Sequence, residues 1–200
     1  MDIQPFLERS TARHSHLCPR QVLGVRIGLL AARLFNLSPG ENPKKRLLTI
    51  VESDGCFSDG VEVATGCTLG HRTLRVEDYG KTAAVFVDTV TGQAVRVSPA
   101  LDLREKASVH ASGETRHYFA QMQAYQVMLD AEMFTVTTVF LKTSITAILS
   151  RPGVRLNCEV CGEEIMNERE VKQDGQTLCR ACAGAAFYQI SVPVMLTVSV

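Results

Sequence analysis

"TAAVFVDTVTGQAVRVSP", residues 82–99, is the stretch that decides the fold class. Two apolar, β-branched runs, 82–89 and 94–99, flank Val90-Thr91-Gly92, which is good turn chemistry for a hairpin. A connection this short joins antiparallel strands, because a parallel pair needs a crossover of a dozen residues or more. Upstream, "RLLTIVES" (46–53) and "TLRVED" (73–78) read as further strands, and downstream so does "MFTVTTVFLKT" (133–143).

Helices fall between them. Residues 4–13 form a short one. A longer one runs from Pro19 to about Asn36, with Val22, Leu23, Ile27, Leu30 and Leu34 at helical spacing. Pro19 suits its first position, where the missing N–H would be unpaired in any case. Gly24 and Gly28 lie one turn apart and would let another backbone come close, although each weakens the helix by up to ~1 kcal/mol relative to Ala. "SDGVEVAT" (58–65) is a short helix capped by Ser58 or Asp59. Residues 101–107 and about 113–131 are helical, the latter carrying Phe119, Met122, Tyr125, Gln126 and Leu129 at spacings of three and four. Strand and helix mix without strict alternation. The expected fold is therefore α+β, a mixed or antiparallel sheet packed with helices, plus a small C-terminal zinc ribbon. The expected domains are a core over 1–150, a ribbon over 154–186 after the "RPG" linker, and an apolar strand over 187–200.

Formal charge is zero over 200 residues. A neutral chain has no bulk attraction for a phosphate backbone or anionic lipid, so neither nucleic acid nor membrane is an expected partner. The apolar run "VLGVRIGLLAARLF" is interrupted by Arg26 and Arg33 and is too short to span a bilayer. The start "MDIQPFLERS" lacks the layout of a signal peptide, so a cytoplasmic protein is expected. In a reducing compartment the seven cysteines read as ligands or reactive thiols. No phosphate-cradling loop, Ser-His-Asp set or paired-carboxylate string supports a kinase or hydrolase.

"CEVCGEEIMNEREVKQDGQTLCRAC" (158–182) carries C-x2-C twice, seventeen residues apart. This is the spacing of a four-cysteine zinc site. Each C-x2-C knuckle aims two thiolates at one point, and "QDGQ" turns a hairpin between them. Four thiolates from Cys158, Cys161, Cys179 and Cys182 fill a tetrahedral shell, which makes the zinc structural. The segment has six acidic and four basic residues between Arg155 and Arg180, so no basic stripe for DNA emerges.

A second constellation is His14, His16 and Cys18 in "HSHLCP", Cys56, and Cys67 with His71. Imidazole and thiolate suit zinc, nickel, copper or iron. Cys18 and Cys56 precede predicted helices, whose N-termini favour thiolates. Their spacing alone is equally that of small buried hydrophobes and loop histidines.

Three strings, "HSHLCPRQVLGVRIG", "ESDGCFSDGVEVATGCTLGHRTLRVEDYGKTAAVFV" and the terminal ribbon, resemble the formylmethanofuran dehydrogenase E-subunit (FmdE) family. The matching positions are His14, His16, Cys18, Pro19, Gly24 and Arg26, then Asp54, Cys56, Thr65–Thr68, Gly70 and Asp78–Lys81. Arg20 replaces a common Gly, and His71 a common Lys or Arg. The resemblance implies a cleft lined by the His/Cys pieces and a homodimer. It implies catalytic roles for His16, Cys18, Cys56 and Cys67, and cofactor binding by His14, His71 and Lys81. A second transition metal would be held by His16, Cys18 and Cys56. Tyr79 and Lys81 either orient an anionic ligand or simply turn the chain. Two functions follow as expectations. One is a metal-binding protein with a core site beside its structural zinc. The other is a non-catalytic accessory subunit of a molybdenum or tungsten one-carbon or redox enzyme, docking through the ribbon and C-terminal strand onto a partner or a second copy. That apolar strand either adds to a sheet in its own chain or is exchanged with a twin.

Overall fold

The computed structural model describes residues 2–14 and 16–189. The chain divides into two compact units, residues 1–145 and 146–200. In the first unit the elements are α1 (Gln4–Thr11), α2 (Pro19–Leu34), β1 (Leu47–Val51), α3 (Cys56–Thr65), β2 (Leu74–Val76), β3 (Ala84–Asp88), β4 (Ala94–Pro99), α4 (Leu103–His110), α5 (His117–Val127), α6 (Asp130–Met133) and β5 (Phe134–Thr138).

The five strands form one mixed sheet in the order β2-β1-β3-β4-β5. The β3–β4 hairpin of the opening stretch pairs Ala84 with Val97 and Val87 with Ala94. Its turn is fixed by Asp88, whose Oδ1 accepts from Val90 N–H at 2.9 Å while Arg46 grips Oδ2 at 2.8 Å. β1 is antiparallel to β3 but parallel to β2, because α3 provides the crossover between them.

Helix α2 is buried on nearly every side, with Val22, Val25 and Ile27 fully enclosed. Its glycines explain how. A Cβ on Gly24 would lie 2.2 Å from the Phe57 carbonyl oxygen, and one on Gly60 of α3 would lie 2.4 Å from that of Gln21. The two helices therefore touch backbone to backbone, the close approach expected of Gly24 and Gly28. Arg26, buried on the same helix, donates to the carbonyls of Tyr125 and Met128, both at 2.6 Å, and to Asp130 Oδ1 at 2.9 Å. It thereby satisfies orphan carbonyls at the C-terminal end of α5.

Several expectations are corrected. The helix predicted from 58 starts at Cys56, with Gly55 (φ 71°) before it and no side-chain cap; Ser58 Oγ donates instead to the Gly55 carbonyl at 2.7 Å. The helix predicted over 113–131 is two, separated where Met128 and Leu129 are extended. β5 is shorter than predicted. Helix α7 (Ile145–Leu149) has no counterpart among the predicted elements.

The second unit holds two small hairpins, β6 (Arg155–Asn157) with β7 (Glu164–Met166), and β8 (Val171–Gln173) with β9 (Gln176–Leu178). A short π-helical turn, Ala181–Ala185, follows. Most of the predicted C-terminal strand, residues 190–200, lies outside the described residues. Among the described residues no helix is long and apolar enough to cross a membrane.

Candidate functional site

The ribbon builds its site from two knuckles. In the first, Gly162 (φ 77°) donates to the Cys158 carbonyl at 2.9 Å, while Cys158 N–H reaches the Glu163 carbonyl at 2.9 Å. In the second, Cys182 N–H points at Cys179 Sγ at 3.4 Å, and Cys179 N–H at Cys158 Sγ at 3.3 Å. All four sulfurs lie within 4.8 Å of one another. Tetrahedral zinc with Zn–S bonds of about 2.3 Å requires sulfurs roughly 3.8 Å apart. The donor set fits. Backbone N–H groups, that of Cys161 foremost, pull the Cys158 thiol down to about 6. Its neighbours, Cys179 foremost, push Cys182 up to about 12. Once one thiolate forms, crowding opposes the rest, and a dication relieves that repulsion. The apolar support is small, Cys158, Ile165 and Leu178.

In the core unit the structure brings Cys18 and Cys56 together. Cys18 caps α2 in extended conformation, its N–H held by Gln21 Oε1 at 2.8 Å; Gln21 in turn donates to Ser10 on α1. Cys56 is the first residue of α3, and Cys18 lies near enough to act on its thiol. Burial first, and the adjoining Cys18 second, push the Cys56 thiol up, with Arg20 opposing. The expectation that a helix N-terminus lowers the Cys56 pKa is thus overturned, because desolvation outweighs the dipole. His14 Nε2 makes a short contact with Asp59 Oδ2 on α3. Arg13 brackets the same carboxylate and Glu62. His16 is exposed.

Sequence reading missed two participants. Tyr118 OH donates to the Leu17 carbonyl at 3.1 Å, and its own pKa is raised by burial and then by Cys18 and Cys56. No sequence signal links residue 118 to residue 18. Asp59 lies three residues after Cys56, so helical spacing could have placed the two on neighbouring positions.

The remaining candidates lie elsewhere. Cys67 follows the C-terminus of α3, which at 1.5 Å rise per residue is roughly 15 Å from Cys56. It is fully buried, accepting from Asn42 Nδ2 at 3.2 Å and Thr49 Oγ1 at 3.3 Å, and burial raises its pKa. His71 belongs to that same end. In "DYGK", Tyr79 and Lys81 donate backbone N–H groups to the Glu52 carbonyl at 2.9 and 3.0 Å, with Gly80 at φ 64°. Both side chains are exposed, so this string forms the turn. Among the described residues, the ribbon cysteines are the one group of three or more His, Cys, Asp or Glu side chains whose ligand atoms converge.

An α+β core carrying a thiol pair, joined in one chain to a four-cysteine zinc-binding module, defines the class. The family described as "FmdE, Molybdenum formylmethanofuran dehydrogenase operon" is matched over residues 13–138, and the prokaryotic dksA/traR C4-type zinc finger over residues 152–186. The chain belongs to the FmdE family. A relative from Archaeoglobus fulgidus, described as a probable S-adenosyl-L-methionine-binding protein, is 31% identical over 91% of this chain. The match covers 53% of that relative, so the chain spans about half its length. The crystal structure of a tungsten formylmethanofuran dehydrogenase FmdE-like protein from Syntrophus aciditrophicus is similar with a TM-score of 0.56 and 25% identity. That likeness covers 94% of this chain and 96% of the other.

Proposed function

We propose that this FmdE-family chain is a metal-binding protein with two distinct roles for cysteine. The ribbon zinc is structural. The core unit captures a soft transition metal through the Cys18 and Cys56 thiolates, and His14 or His16 would have to swing in to complete the shell. One observation carries this reading: two cysteines 38 positions apart meet at the N-termini of two helices locked together by glycine contacts. His14 supports it, since a histidine held by a carboxylate at one nitrogen offers the other to a metal. Two thiolates with imidazole suit zinc, copper or nickel. Cys67, hydrogen-bonded and fully buried, keeps a structural role in this reading. The test is metal content of the reduced protein after loading. Cys18→Ser and Cys56→Ser should each lose the second metal while keeping one ribbon zinc. Unchanged metal content in both variants refutes the core site.

A second reading, an accessory subunit that also pairs with its own copy, draws on β5. Among the described residues this strand lies at the edge of the sheet and exposes Thr135, Val136, Thr137 and Thr138, and Phe140 just beyond is 94% exposed. Open edges invite strand addition. Here light scattering should give a dimer that Val136→Lys weakens, and a monomer at all concentrations would sink the homodimer.

A further inference from the structure

At the end of α3 remote from the thiol pair, a cavity of about 300 Å³ is lined by Asn42, Lys44, Lys45, Gly66, His71 and Thr73. Three of these six residues are basic and none is acidic. In a chain of zero net charge that is a local excess. Elsewhere in this unit the cations near the sheet are matched, Arg46 by Asp88 and Arg96 by Glu52. Among the described residues neither Lys44, Lys45 nor His71 has a carboxylate partner.

The backbone presenting the two lysines is also unusual. Lys44 and Lys45 have φ of 53° and 56°, two successive non-glycine residues in the left-handed region. Each such residue costs about 1 kcal/mol or more and persists only where its surroundings impose it. Asn42 imposes it here. Its Oδ1 accepts from Leu47 N–H at 2.8 Å and its Nδ2 donates to the Leu47 carbonyl at 2.7 Å, so the turn is pinned to the start of β1. Two like charges are therefore held side by side by a strained loop, facing a histidine from the next connection. The Asn42 amide and the Thr73 hydroxyl are already engaged within the protein, which leaves recognition to the cations.

We propose that this cavity binds a small dianionic oxyanion, the phosphoryl group of a phosphate monoester or free phosphate, between Lys44, Lys45 and His71. Its size is at the lower end for ligand pockets, which suits a small molecule rather than a polymer. The site is independent of the thiol pair and of any metal there.

The experiment is calorimetric titration of the full chain with inorganic phosphate and, separately, glycerol phosphate, at constant ionic strength set with chloride. Saturable binding is expected. Lys44→Asn/Lys45→Asn removes both charges while keeping a residue tolerant of positive φ. It should weaken binding about a hundredfold, taking each lost charge-assisted contact as about tenfold. His71→Gln should weaken it further, and Lys81→Asn, a distant exposed lysine, should leave it unchanged. Tighter binding of glycerol phosphate identifies an organic phosphate as the ligand, and equal affinity identifies free phosphate. No saturable binding of either probe overturns the site, as does equal affinity in the folded double variant, with its fold verified by circular dichroism.

Discussion

Replacing Gly24 with Ala tests the helix contact on which the core site depends. A Cβ at position 24 would sit 2.2 Å from the Phe57 carbonyl oxygen and 3.0 Å from Val61 N, both backbone atoms of α3. Contacts under 3.0 Å are essentially never made, so the helices must part by about 0.8 Å at this point. Overpacking of this kind costs typically 1–3 kcal/mol, and backbone neighbours that cannot rotate away put this case at about 3. Ala favours the helix over Gly by about 1 kcal/mol, which offsets part of it. The net loss is then about 2 kcal/mol, or a fall in Tm of about 4–8 °C for a domain of this size. Differential scanning calorimetry reads it directly. Gly113→Ala is the control, since a Cβ there meets nothing within 4 Å and its effect should stay within about 0.5 kcal/mol. A Gly24→Ala protein as stable as the parent, or more so, would mean that the backbones do not touch.

Other outcomes follow from the charges and the metal. Zinc binding to the stripped ribbon at pH 7 should release at least two protons, because Cys161 and Cys182 are both raised above the ordinary thiol value; a pH-stat titration releasing fewer than two contradicts this. Chelation should unfold residues 152–186 and leave the core's helical signal intact. Asp88 is held below the usual carboxylate range by Arg46. Its contribution to stability is therefore complete above about pH 4 and is lost as pH falls through the lowered folded value. Asp88→Asn should flatten the acid limb of the stability curve, and an unchanged limb would show that the pair is idle. Arg26→Met strands the Tyr125 and Met128 carbonyls and should cost about 3 kcal/mol in urea unfolding.

Much of this was legible in the sequence. The hairpin at 82–99, the α+β class, the helix at Pro19 and the four ribbon cysteines rest on local signals, namely alternation, turn residues and ligand spacing. Gly24 and Gly28 announced a close approach, though not its partner, since Gly60 becomes visible only once α3 crosses α2. The core site was half legible. The family's strings grouped Cys18, Cys56 and Cys67 because each falls within a matching motif. A helix separates the last two, and sequence proximity does not say which end of it a residue occupies. The direction of the Cys56 shift was misread because a helix N-terminus can be recognised from sequence, whereas burial depends on the fold. Tyr118 was out of reach, being a hundred residues from the loop it joins.

The glycine interlock also restricts how this unit can move. Helices separated by side chains can slide past one another by small rotamer changes, the shear motion on which many conformational switches rely. α2 and α3 have no such cushion, since at Gly24 and Gly60 one main chain rests on the other. A slip of one residue would set Leu23 or Val25 of α2 against that backbone and jam. The pair has one register, and any opening of this unit has to come from the loops that leave it.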